Sequence, residues 1–353
     1  MIALYCPCSA VRFCTQTGIY FHMHPGRLSV VLCAIAVAGW AETPASVGGP
    51  VTGFIFDSQA GAIRPMVGIP GAAYLGTALV SRVDAAAVAP DGSSAFAVQA
   101  GRLVLYTGLR STTLKATTID EAIPGVNQFA WTSDGSAAAV YASSGSQAQI
   151  LTDLAQSPVA GAPIDLSGIP GAVTALAFDG QRLIIGAAAS GSGGIYVASA
   201  QSPVQRIAPA AGPSAITLAG ADLYFTDRQS QQIWQVQSYA RIPAAVLFAN
   251  DGGVSSPAGL QLSTDGKRLY VANAGSRKLA VYDVASRTPV QSLDLAFTPT
   301  RLDRFGATSA FLLNGTGQGP VYVLSESAAQ KPAVYFVPAP TNAQPRKIRI
   351  RPI

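Results

Sequence analysis

Apolar residues along this chain fall in short runs, and pairs of runs are broken by a glycine-centred turn, usually Asp-Gly. The turn glycines Gly92, Gly135, Gly180, Gly220, Gly266 and Gly306 recur at intervals of 40 to 46 residues. Such a turn needs a positive φ that glycine adopts without penalty, so each marks a hairpin. The period is that of propeller blades. The clearest unit, residues 260–284, reads strand, Asp-Gly turn, strand, Asn-Ala-Gly loop, strand. The layout recurs at 88–109, 129–154 and 175–199, loosens at 216–237 and is weakest at 302–326.

A more variable run follows most units, at 114–123, 203–208, 244–249, 289–295 and 333–338, which makes four antiparallel strands per repeat. Ile-Pro-Gly at 69–71, 123–125 and 169–171 reads as the turn leaving an outer strand. Residues 51–58 and 62–68 then look like the third and fourth strands of one more blade. Its missing strands are sought at the C-terminus, where residues 346–353 alternate charged and apolar positions. The expectation is an all-β propeller of seven four-stranded blades, six being the alternative, with the ring closed by pairing N- and C-terminal strands. Residues 72–87 read as an insertion on the mouth side of one blade, or as an apolar plug over the channel.

Composition sharpens this picture. The chain is 49% hydrophobic and only 12% charged, yet it has no unbroken apolar stretch long enough to span a membrane. Strands covered on both faces account for both facts. Four cysteines (Cys6, Cys8, Cys14, Cys33) and two histidines (His22, His24) all lie before residue 34. Met23-His-Pro-Gly-Arg27, an apolar run over 28–41 and a small-x-small end at Gly39-Trp40-Ala41 describe a secretory signal peptide at 23–41. Residues 1–22 read as an over-extended gene start or an unstructured leader, and 42–353 as a single propeller domain. Zinc at Cys6, Cys8, Cys14 and His22 has suitable ligand types but no usual spacing. Lipid anchoring at Cys33 meets bulky Val30, Val31 and Leu32.

Residues 269–284, LYVANAGSRKLAVYDV, preceded by Asp265-Gly266, resemble bacterial YVTN-type β-propeller repeats, and 223–236, LYFTDRQSQQIWQV, are similar to NHL repeats. The six units carrying the likeness cover residues 88–326. The resemblance implies an exported bacterial propeller, secreted or periplasmic, and is nearly silent on activity.

Removal of residues 1–41 leaves a net charge of about +3, too mild to argue for nucleic acid. Without histidine or cysteine after residue 33 there is no Ser-His-Asp or Cys-His arrangement and no nitrogen or sulfur metal site in the domain. No catalytic residue is assigned. Loops joining second and third strands gather at one channel mouth, which brings forward Asp227, Arg228, Asn273, Arg277 and Asn314, with Tyr74 as an apolar contact in the 72–87 segment. Asp227 and Asn273 are equally capable of capping their own turns. The expected function is an exported, non-catalytic, monomeric module that binds a protein, peptide or small molecule at the mouth, with no nucleic-acid partner and no membrane span. The alternative is a calcium-dependent lactonase- or esterase-like hydrolase with Asp227, Asn273 and Asn314 as oxygen ligands of Ca²⁺. N-terminal sequencing of exported material should begin at Glu42; retention of Cys6 would overturn the signal-peptide reading.

Overall fold

Seven antiparallel sheets follow one another along the chain, at residues 51–81, 85–118, 128–165, 172–209, 213–249, 257–294 and 303–337. They stand in a ring as the blades, numbered 1 to 7, of a β-propeller. The computed structural model describes residues 49–69, 71–306, 309–317, 319–326 and 331–339, and all regular elements among them are strands. The leader, the signal peptide and the 346–353 segment lie outside the described residues.

Blade 5 shows the plan: Pro213–Ala219, Asp222–Asp227, Gln232–Gln237 and Ala244–Ala249 pair in chain order from the axis outward. All six turn glycines found in the sequence have a positive φ, between 61° and 99°, and they set where each first hairpin folds back. In blade 3 the outer strand is split, Val159–Ala160 and Ile164–Asp165 both pairing with Gln147–Thr152.

Blade 1 corrects two sequence expectations. Ala72–Leu75 and Val80–Ser81 both pair with Ala62–Ile69, so residues 72–81 are a split outer strand of the blade and not an insertion at the mouth. The first Ile-Pro-Gly therefore falls in the hairpin between third and outer strands, whereas those at 123–125 and 169–171 lead into the next blade.

The strand Val51–Asp57 takes the second position in its blade and Ala62–Ile69 the third. Its start meets the loop between third and outer strands of blade 2, where Arg110 Nη1 and Nη2 each lie 3.4 Å from the carbonyls of Val51 and Thr52. Its end meets the second-to-third loop of blade 7. There Thr316 Oγ1 donates to Phe56 O at 3.3 Å and accepts from Ser58 N at 3.2 Å. That direction is the one a second strand has. Among the described residues no strand pairs with its inner edge.

The core is divided among the joints between blades. Among the described residues seven apolar clusters are present, and each draws its residues from two neighbouring blades. Between blades 5 and 6, for example, Ile233, Leu260, Leu269 and Tyr282 interdigitate. Ile55, Met66 and Leu75 of blade 1 pack with Phe305, Leu312, Val321 and Val337 of blade 7, so side chains join the two ends of the ring. Truncating a fully buried leucine such as Leu269 in such a joint costs about 2–5 kcal/mol.

Three buried tyrosines tie carboxylates into these joints. Tyr239 donates to Asp179 Oδ2 at 2.8 Å, Tyr270 to Glu326 Oε1 at 3.0 Å and Tyr282 to Asp251 Oδ1 at 2.9 Å. Burial, reinforced by the neighbouring carboxylate, pushes all three phenols well above the ordinary tyrosine value. The unfolded chain releases these protons near pH ~10 while the folded chain keeps them, so stability is intact below that pH and falls above it. Chemical denaturation at pH 8 and pH 11 should show this loss, and Tyr282→Phe should make it smaller.

Candidate functional site

The sequence singles out polar residues at the ends of second strands, and their atoms are turned toward the backbone. Asp227 closes the second strand of blade 5 and is only 2% exposed. One oxygen, Oδ2, accepts from Ala211 N at 2.8 Å; the other, Oδ1, accepts from Gly212, Gln229 and Ser230 N at 2.9–3.2 Å. Asn273 closes the second strand of blade 6 and is fully buried. Its Oδ1 accepts from Ser255 N at 2.9 Å and its Nδ2 donates to Gly253 O at 3.1 Å. In blade 7 Asn314 accepts from Tyr322 N at 2.7 Å and donates to Pro320 O at 3.0 Å.

Asp227 and Asn273 serve the same purpose, since each fastens the linker entering a blade to that blade's second-to-third turn. Asp57 caps the corresponding turn of blade 1, accepting from Gln59 and Ala60 N at 3.2 Å, and adds a 2.9 Å ion pair with Arg64. The remaining candidates scatter. Arg228 reaches only to Pro257 O, at 3.4 Å, and Arg277 is exposed in a left-handed turn with φ of 52°. Tyr74 is 53% exposed on the outer strand of blade 1, at the rim and away from the mouth. Among the described residues no group of three or more His, Cys, Asp or Glu side chains converges on one point.

A central cavity of about 370 Å³ is walled by the innermost strands. Phe129 and Trp131 of blade 3, Leu176 of blade 4 and Leu218 of blade 5 give it an apolar side; Gln261 of blade 6 and Arg301 ahead of blade 7 give it a polar one. Trp131 stacks on Phe96, ring centroids 4.8 Å apart, so its ring is fixed. Among the described residues two buried side-chain polar atoms lack a hydrogen-bond partner, Trp131 Nε1 and Arg301 Nε. Both residues line this cavity. Arg301 Nε lies 3.0 Å from Asp303 Oδ2, an ion-pair distance without hydrogen-bond alignment. That ion pair leaves the Trp131 indole N–H as the donor of the two with neither a hydrogen-bond nor a charge partner among the described residues.

Arg304, also on the wall, donates through Nη2 to Leu262 O at 3.1 Å and stands 5.6 Å over the ring of Phe311. Burial lowers the affinity of its guanidinium for the proton, and Glu326 opposes that shift. The sequence reading misses this cavity because its polar groups come from inner strands and from the linker ahead of blade 7, and not from the second-to-third loops. Trp131 reads there as mere filling between blades; the donor-only indole N–H in an innermost strand is the one available signal.

No protein-family model matches the chain, and no curated protein matches it in sequence. Solved structures share its fold. A candidate 6-phosphogluconolactonase from Bacteroides fragilis is 13% identical, over 82% of this chain and 95% of its own, with a TM-score of 0.58. A functionally unknown protein from Desulfotomaculum acetoxidans is 15% identical over 80% and 95%, with a TM-score of 0.56. The WD40 repeats of RRP9 are 13% identical over 73% and 81%, with a TM-score of 0.54. Likeness at such identities shows the propeller fold alone.

Replacing Asp227 by Ala should lower stability by about 1–3 kcal/mol, since it leaves backbone amides unpaired in the joint ahead of blade 5. Urea denaturation of D227A beside D57A checks this; an unchanged midpoint in D227A would free Asp227 for another role.

Proposed function

We propose that this chain is a non-catalytic binding propeller of the exported, YVTN/NHL-like bacterial kind, with its ligand surface where the central channel opens. One observation supports the reading: the inner strands enclose a central cavity of about 370 Å³ with an apolar side and a polar one. Chemistry by histidine or cysteine is absent from residues 34–353 for want of those side chains. The oxygens considered for calcium, on Asp227, Asn273 and Asn314, accept backbone amide protons. A cation would have to displace those bonds first. The two classes of neighbour, a candidate lactonase and WD40 repeats, are compatible with either reading, and the cavity is what supports the binding one.

Thermal denaturation of the full chain against a panel of small organic molecules tests the proposal. Stabilisation growing with ligand concentration, and unchanged by EGTA, is the expected result. Ca²⁺-dependent stabilisation together with hydrolysis of a lactone or ester would overturn it in favour of a hydrolase.

A further inference from the structure

Blade 1 presents an open strand edge to the channel. Val51–Asp57 holds the second position of the blade, and no described strand pairs with its inner edge. The register shows which groups lie there. Ile63 and Pro65 give their carbonyls to Leu79 N and Gly76 N on the outer side, and they stand opposite Phe56 and Phe54. Neighbouring residues of a strand turn their polar groups to opposite edges, so Phe54 and Phe56 point N–H and C=O inward. Phe56 O meets the Thr316 hydroxyl, whereas Phe54, only 3% exposed, has no backbone partner on that edge among the described residues. Enclosed backbone groups are nearly always paired.

The wall of the cavity carries the same signature. In blades 2 to 6 the strand residues that line it, such as Val88, Trp131 and Gln261, all belong to first strands. Second strands reach it at blade 1, through Phe54, Ile55 and Phe56, and just beside it, through Leu312 of blade 7. Both flank the first position of blade 1.

The chain leaves blade 7 next to this edge. Outer strands run back to the mouth side, and Ala333–Val337 is the outer strand of the blade that precedes blade 1 in the ring. Linkers from an outer strand to the following first strand hold three to nine residues, the extremes being Ser81 to Ala85 and Thr118 to Gln128. Residues 338–345 fall within that range, and 346–353 are then long enough to lie along the seven residues of Val51–Asp57. First strands here tolerate half-buried polar side chains, among them Gln128, Gln261 and Arg304. An alternation of Lys347, Arg349 and Arg351 with Ile348 and Ile350 suits such a position, and the apolar middle of a blade does not admit it.

We infer that residues 346–353 of this chain are the first strand of blade 1, antiparallel to Val51–Asp57 and bonded to the inward groups of Phe54 and Phe56. The inference goes beyond the ligand reading and does not rest on it. The closing strand narrows the channel on the blade 1 side and leaves the wall of Phe129, Trp131 and Leu176 uncovered.

Hydrogen exchange in the full chain, followed by mass spectrometry with fragmentation that resolves single amides, tests this. The N–H groups of Phe54 and Phe56 and alternate ones within 346–353 should exchange at least about a hundredfold more slowly than in an unstructured peptide. Deleting 346–353 should release Phe54 and Phe56 while the second strand of blade 5 keeps its protection. Where the deleted chain does not fold, Arg349→Pro and Ile350→Pro in the full chain decide. Adjacent N–H groups face opposite edges, so one of these two removes a ladder donor. That one should speed exchange at Phe54 and Phe56, and Asn342→Pro, in the linker, should not; no change with either proline would overturn the inference. Fast exchange throughout 346–353 would also overturn it, and slow exchange at Phe54 in that case would assign the edge to residues before 49. Protection that fades on dilution, with a dimer in native mass spectrometry, would replace it with a strand exchanged between two copies. The small-molecule panel reads none of these amides, so the ligand reading stands or falls separately.

Discussion

Each blade is buried on both faces by its neighbours, and most of the molecule follows from that. A sheet pressed between two others cannot alternate wet and dry positions, so its middle strands are apolar throughout, as in Leu269–Ala272 and Leu183–Ile185. Seven joints require seven apolar clusters, and none is a centre to which the others are accessory. The scarcity of charge in the sequence is the same constraint read as composition. Polar groups enter the joints only where a partner meets them, as when Tyr239, Tyr270 and Tyr282 donate hydrogen bonds to carboxylates across a joint or its linker.

This arrangement separates conspicuous polar residues from useful ones. Asp227, Asn273 and Asn314 stand out in the sequence because turns at strand ends need acceptors for their amides, and Asp57 shares the register position of the first two. Their oxygens are consumed by the backbone. The innermost strands face a space that no neighbouring blade fills, so the Trp131 indole N–H there stays without a partner. Trp131 and Arg301 are inconspicuous in sequence for that reason: the pattern around them is set by packing, and the channel asks for no motif.

Fold was legible from residues whose conformation is locally determined. The six turn glycines needed positive φ wherever they stood, so their spacing carried six of the seven blades directly. Blade 1 was harder, because Ile-Pro-Gly is a turn signal without a direction. At 123 and 169 it precedes an inner strand; at 69 it bends the chain back along its own sheet, and the following residues pair with Ala62–Ile69. The strand Val51–Asp57 was displaced by one position for the same cause, since the sequence alone did not show residues 72–81 as an outer strand. The cavity was invisible because it belongs to seven strands at once, and no stretch of sequence records their common axis.

The joint between blades 7 and 1 brings Ile55 and Met66 against Phe305 and Val323. Six joints can form as each blade emerges beside the one before it, whereas this one waits for nearly the whole chain. Until then blade 1 presents a bare apolar face, and so does whichever blade was made last. Folding is accordingly a closure event of high contact order, slow compared with the making of any hairpin. Substitutions at Phe305 or Met66 should therefore act on the lifetime of an open, sticky arc more than on any single blade.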